Sequence, residues 1–274
     1  MLSLLSPAKT QDFKSAIPKL HAGEPIFKAE ISAIVNCLKH YTPEEFSSLM
    51  DLSAKLGEAV FEKYLHFDVD NDHEENARAA LFAFKGDVYR GLEADSLKPN
   101  EIAFAQSHLM ILSGLYGLLR PLDYIQAYRL EMGVKFYLDD TSLYDFWRSR
   151  LTEYLNKMIR EQRHRTIVNL ASKEYSKAID RKKISANWLD IDFKEYDKGK
   201  YRTISFYAKR ARGMMARFIL QQQIDEVEGL KGFNDGGYAF HPDLSSDSHF
   251  CFSRGLCKTT VAPPSWELKP LVKG

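Results

Sequence analysis

The first five residues, MLSLL, form a short apolar run that stops at Ser6-Pro7, where proline removes the backbone donor a strand ladder would use. They read as a buried strand passing into a loop. A strand this short is not stable alone, and nothing else of strand character follows until about residue 165. The opening strand must therefore find its partners in the far half of the chain, which closes the sequence into one domain instead of two in tandem.

Between these ends, residues 24–160 are helical in pattern. Ile31, Ile34, Val35 and Leu38 recur at helical spacing, and Thr42-Pro43-Glu44-Glu45 combines a cap with proline at the first helical position. Residues 45–64 continue as one helix through Leu49, Leu52, Leu56 and Val60, residues 76–84 make another, and residues 143–158 carry a stripe that includes Phe146, Trp147 and Leu151. Within 102–123, two short helices joined at Ser113, Gly114 and Gly117 and followed by Arg120 resemble a helix-hairpin-helix module. The glycines stand three apart where that module usually has two, and a bare pattern of this kind is more often an ordinary helix corner. Lys85 sits at a break flanked by Gly86 and Gly91, and Arg129 and Glu131 face one way as an ion pair if their segment is extended.

After residue 165 the pattern changes to strands, expected at 166–171, 188–196, 201–208, 238–241 and 249–254. The expected fold is mixed α/β (α+β), a single domain over residues 1–258. A central mixed sheet is built from the N-terminal and C-terminal strands around the helical insertion. Residues 259–274, with Pro263, Pro264 and Pro270, are expected to form a flexible tail.

Whole-chain charge argues for no particular partner, since 38 Lys and Arg face 37 Asp and Glu. The distribution says more. No acidic residue occurs from Gly199 to Gln223, a window with six basic ones. If a strand at 201–208 runs straight into a helix, Lys209, Arg210 and Arg212 fall in its first turn. There the exposed amides are already positive, and each cation costs about 0.3–1 kcal/mol unless an anion offsets it. Three strand ends then share one arrangement: the first leads to Ser6 and Lys9, the 166–171 strand to Asn169 and Ser172, and the 201–208 strand to the basic cluster. If these strands are parallel, their carboxyl ends line one edge of the sheet and form an anion-binding cleft.

Cys37, Cys251 and Cys257 are odd in number and make no disulfide framework, which fits a reducing compartment. The N-terminus lacks a basic segment and a long apolar run, so neither a signal peptide nor a membrane span is expected, and the cytoplasm is the expected location. His249 and Cys251 share a strand face with Cys257 near, but the spacing fits no metal pattern. No metal or cofactor is expected, and no P-loop, GxSxG or dinucleotide fingerprint is present.

SPAKT, FKGDVY, LSGLYGLLRPLD, YRLEMG, NLASKEY, ISFYAKRARG and GFNDGGY occur in the order found in the YaaA family of bacterial proteins, and the chain resembles that family over residues 1 to about 254. The resemblance implies a cytoplasmic protein of the hydrogen peroxide response that limits unincorporated iron and protects DNA and protein from oxidation. It also implies one mixed α/β domain in which a helix-hairpin-helix-like element lies beside a positively charged cleft, with DNA as partner.

Two functional readings follow. In the first, a monomer binds DNA without sequence preference, through the 113–117 hairpin together with Lys9, Lys85, Arg120, Lys209, Arg210 and Arg212. In the second, an enzyme acts on a phosphorylated or otherwise anionic small molecule held by Ser6, Lys9, Asn169, Ser172, Lys209 and Arg212, with Glu174 or Glu131 as acid or base.

Overall fold

Eight strands form the main sheet of the computed structural model, which describes residues 1–15, 23–69 and 76–255. In chain order they are β1 (Leu2–Leu5), β2 (Leu109–Ser113), β3 (Gly117–Leu119), β4 (Thr166–Asn169), β5 (Asn187–Asp197), β6 (Lys200–Arg202), β7 (Ala239–Phe240) and β8 (His249–Gly255). Their spatial order is β7-β8-β5-β4-β1-β2-β3, with β6 also on β5. The five central strands are parallel, while β3, β6 and β7 pair antiparallel, so the single domain carries a mixed sheet, as expected. The opening strand sits in the middle, between β4 from beyond residue 165 and β2 from the helical portion. Both β1 and β4 are buried along their whole length, which is why they read as continuous apolar runs instead of alternating ones.

The helices used below are α1 (Lys28–Leu38), α2 (Pro43–Met50), α3 (Ala54–Leu65), α4 (Asp87–Leu92), α5 (Pro99–His108), α6 (Leu143–Arg160), α7 (Lys173–Ser176) and α8 (Ser205–Gln222). The expected cap at Thr42 is present as a reciprocal capping box, the Thr42 amide donating to Glu45 Oε2 at 2.7 Å and the Glu45 amide to Thr42 Oγ1 at 3.3 Å. Helix α6 buries Trp147 and Leu151 completely, as its stripe requires.

Several expectations are corrected. The segment 45–64 is two helices, because Asp51 takes a left-handed conformation (φ 52°) and ends α2. Residues 76–84 are not one helix; strand Ala77–Ala79, helical turn Ala80–Ala83 and strand Phe84–Lys85 follow one another. Ala79 to Phe84 are all buried, so periodicity carried no information there. The expected strand at 201–208 stops at Arg202, and α8 begins at Ser205. Ile204 and Phe206 are 38% and 45% exposed, so their alternation reflected no buried face. Ala208, Ala211, Met215 and Ile219 are buried at helical spacing. Lys209, Arg210 and Arg212 therefore lie beyond the first turn, where the macrodipole penalty has largely faded.

The largest correction concerns 102–123. Helix α5 ends at His108, and the glycine segment is the turn of the β2–β3 hairpin, with Ser113 paired to Gly117. Its glycines serve packing. The Gly114 carbonyl accepts from Trp147 Nε1 at 2.9 Å, and a Cβ on Gly117 would lie 2.6 Å from the Trp147 ring. Ser113 is buried and bonded to Tyr128 Oη at 2.7 Å, so none of this hairpin is available to a phosphodiester.

At the end of that hairpin, Asp123 is fully buried and accepts from the Arg120 amide (2.8 Å) and guanidinium (2.9 Å). Burial pushes its carboxyl up to about 6, against the pull of those Arg120 contacts. A raised carboxyl favours the protonated native state, so its contribution to stability falls as pH rises from about 4 to about 6. Relative to Asp123→Asn, the parent should lose about 2–3 kcal/mol of unfolding free energy across that window. Denaturant titrations at several pH values check this, and parallel profiles for the two proteins would refute it.

Candidate anion-binding cleft

Register builds the cleft floor. Asn169 on β4 pairs with Asp190 on β5, which pairs with His249 on β8, so the three side chains share one face of the sheet, with Asp192 two residues further on. Strand β4 ends at this row, whereas β5 continues to Asp197. Beyond β4, the chain turns through Ser172 into α7, leaving a cavity of about 710 Å³ at the carboxyl end of β4. As anticipated for parallel strands, the ends of β1 and β4 lie side by side, and the Ser172 amide donates to Ser6 Oγ at 2.9 Å. Ser172 occupies the N-cap position of α7, but its side chain caps nothing.

The floor is tightly bonded. Asp190 Oδ1 accepts from Asn169 Nδ2 (2.8 Å) and Trp188 Nε1 (2.9 Å), and Oδ2 pairs with Arg181 (3.1 Å). Asp192 Oδ2 lies 3.0 Å from His249 Nε2. Around them stand Arg148, Lys173, Lys177, Arg181, Lys182 and Arg212, so among the described residues six basic side chains face the carboxylates of Asp180, Asp190 and Asp192. Arg212 is the unusual one. It is half-buried, its Nε is buried without a hydrogen-bond partner, and no ion pair among the described residues holds it. Burial pushes its guanidinium below the ordinary arginine range, with the Asp192 charge opposing.

A second cavity of about 850 Å³ lies against α7 as well and has the opposite character, with Glu45, Asp51, Glu131 and Glu174 against Lys9 and Lys135. Glu131 Oε1 pairs with Lys9 (2.9 Å) and Arg129 (3.1 Å), confirming the expected Arg129–Glu131 pair although that segment is not a strand. Burial pushes the Glu131 carboxyl up, but these two cations outweigh it and hold it below its usual range. Glu174 Oε1 accepts from the Gly133 amide at 3.2 Å. Glu131 and Glu174 thus face the acidic cavity.

The expected site residues therefore divide. Asn169 and Arg212 border the basic cleft, with Ser6 and Ser172 bonded behind it. Lys9 and Arg129 belong to the acidic side, committed to Glu131. Lys85 pairs with Thr10 in a two-stranded ladder and lies 3.7 Å from Asp95; Arg120 is bound to Asp123 and the Glu24 carbonyl. Ser113, Gly114 and Gly117 are interior. Lys209 is exposed, and Arg210 lies where α8 crosses α4. Asp190, Asp192, Lys173, Lys177, Arg181 and Lys182 are not among the site residues the sequence singles out, and His249 enters that reading only as a candidate metal ligand. The signals for them were Asp190-Ile191-Asp192 alternating along a strand and five basic residues between 173 and 183. Cys251 is buried, with its thiol pushed up by burial, and Cys257 lies outside the described residues. Among the described residues, no three His, Cys, Asp or Glu side chains converge on a metal position, and no helix is long and apolar enough to cross a membrane.

The motifs that carried the resemblance meet in space. Tyr89 Oη donates to the Ser6 carbonyl (3.1 Å), Lys9 reaches Glu131, Gly133 binds Glu174, and Gly213 lies against the backbone of Val88. Comparison with known proteins agrees. Residues 1–244 match the family model described as peroxide stress protein YaaA. UPF0246 proteins from Francisella philomiragia and from Francisella tularensis subsp. novicida are each 49% identical to the chain over 254 residues, covering 93% of it and all of each relative. A UPF0246 protein from Francisella tularensis subsp. tularensis is 48% identical over the same extent.

Proposed function

The chain belongs to the peroxide stress protein YaaA family, and on that premise we propose that it serves the peroxide stress response by binding the DNA phosphate backbone without sequence preference along the basic rim of the cleft. The observation that carries this reading is the row of exposed cations, Lys173, Lys177, Arg181 and Lys182, on the segment that roofs the cleft. Cations at this density neutralise phosphates and release condensed counterions. Ferrous iron held at a duplex is one such counterion, so the same cations would limit iron at DNA, in keeping with the iron and DNA protection that the family resemblance implies.

A helix-hairpin-helix-like element in this reading is α2–α3, not the 113–117 segment. The two helices are joined by Asp51, Leu52 and Ser53, and cross so closely that a Cβ on Gly57 would lie 2.0 Å from Ser47 Oγ. The start of α3 is exposed, carries Lys55 and no acidic residue, and has no side-chain cap, leaving amides for a phosphate. Helix α2 borders the acidic cavity, which lies on the other side of α7 from the cleft.

The test is a salt titration of duplex DNA binding. Replacing Lys173, Lys177 and Lys182 together by glutamine should lower the log–log salt slope by about 0.9 for each phosphate that is no longer neutralised. An unchanged slope would sink the reading. A second reading, a small anionic molecule as ligand of the cleft interior, is favoured by one observation: Arg212 lies behind the rim and its buried Nε has no hydrogen-bond partner among the described residues.

A further inference from the structure

We infer that the cleft interior is a binding site for a small phosphorylated polyol, such as a sugar phosphate or nucleoside monophosphate. Arg212 receives the phosphate and the Asp192–His249 pair receives the hydroxyls. This rests on the second reading above and names its ligand class.

A half-buried guanidinium is an expensive group to leave unsatisfied, because an unmade hydrogen bond at a buried charged donor leaves its desolvation cost uncompensated. The other cations that line the cleft have either open solvent or a partner: Arg181 is bound to Asp190, and Arg148 lies 3.3 Å from Asp145. Arg212 has neither full solvation nor an ion pair among the described residues, and it borders a cavity of about 710 Å³. That volume is within the common range for small-molecule pockets. The flat fork of a guanidinium suits a phosphate or a carboxylate, and Lys173 and Lys177 at the rim add further positive charge to set against a phosphate dianion.

The floor narrows the choice further. A site for a bare anion would not carry carboxylates, which repel it. Here Asp190 and Asp192 stand on the same face of β5. Asp190 is saturated by Asn169, Trp188 and Arg181, so it holds the floor in place and offers the ligand little. Asp192 engages Oδ2, which lies 3.0 Å from His249 Nε2. Among the described residues no hydrogen bond engages its Oδ1, which is left to accept one, and a hydroxyl is the donor that a phosphorylated ligand can bring without carrying a positive charge. His249 is fixed by Asp192 and can exchange hydrogen bonds with a neighbouring hydroxyl. Vicinal hydroxyls of a sugar ring match this pair, while the phosphate reaches Arg212.

Calorimetric titration of the full chain with ribose 5-phosphate, AMP, inorganic phosphate and adenosine tests the inference. Ribose 5-phosphate or AMP should bind at least about tenfold more tightly than inorganic phosphate or adenosine, the difference one good hydrogen-bonded group supplies. Arg212→Gln should weaken that binding about tenfold or more while leaving duplex DNA binding within about twofold. The Lys173, Lys177, Lys182 glutamine variant should still distinguish ribose 5-phosphate from inorganic phosphate. Asp192→Asn should retain inorganic phosphate binding and lose the preference for the hydroxylated ligands, a readout that stands even if the Arg212 variant fails to fold. If inorganic phosphate binds in an Arg212-dependent way and the polyol phosphates bind no better, the small-anion reading survives and the ligand class assigned here is overturned. If none of the four compounds binds at millimolar concentration, both are overturned.

Discussion

Replacing Gly213 with alanine is expected to destabilise the protein by about 2–3 kcal/mol, although alanine is the better helix former by about 1 kcal/mol. Helix α8 crosses α4 with its backbone almost in contact. An added Cβ at Gly213 would sit 1.7 Å from the Val88 carbonyl oxygen and 2.8 Å from the Leu92 nitrogen, and one at Gly91 would sit 2.1 Å from the Arg210 carbonyl oxygen. Both obstacles are backbone, so no rotamer change relieves them and the helices must separate. Gly91→Ala should move stability in the same direction by a similar amount. Urea denaturation measures both. An alanine variant as stable as its parent would show that the crossing is looser than the distances imply. Because Arg212 precedes Gly213, the crossing also sets how far Arg212 projects into the cleft, so loss of Arg212-dependent ligand binding should accompany the loss of stability.

Arg254→Met should cost more, about 3–5 kcal/mol, because it leaves a carboxylate buried without its counter-charge. Glu195 is 1% exposed on β5, and its Oε2 lies 2.6 Å from Arg254 Nε on the paired strand β8. Its Oε1 accepts from Tyr238 Oη, and Arg254 Nη1 donates to the Gly236 carbonyl at 2.9 Å. The guanidinium also lies 4.8 Å and 4.7 Å from the ring centroids of Tyr207 and Tyr238. One arginine thus ties the start of α8, the β5–β8 pair and the turn before β7 together. Adding Glu195→Gln to the methionine variant removes the stranded charge and should recover a substantial part of the loss, as double-mutant analysis of thermal unfolding would reveal. A double variant less stable than the single would contradict the assignment of the cost to an unpaired charge.

How much of this was legible beforehand depends on how local the information was. Caps and long amphipathic stripes were readable: the Thr42 box and the face of α6 are determined by neighbours within a turn or two. Segments buried on every side were not. Residues 79–84 and 109–119 are buried throughout, and strand and helix are then separated only by what packs around them. The glycines of the 113–117 turn illustrate the same ambiguity. Read alone they suit a loop that offers amides to phosphate, but Trp147, more than two dozen residues later, occupies the space their missing side chains leave.

By itself the sequence determined that one domain must form around a strand from the first residues, that its sheet is mixed, and that polar residues gather where the parallel strands end, because these follow from short-range pattern and from the need to bury and pair β1. It also determined the family. Only the tertiary structure decided which charges share a cavity. Lys9 and Arg129 are drawn to Glu131 on the acidic side of α7, while Asn169, Asp190 and His249 are brought into one row by sheet register and Arg212 is aimed into their cleft by a glycine crossing. Those groupings join residues on the order of a hundred positions apart, and register and helix crossing are set by packing, which no local run of residues encodes.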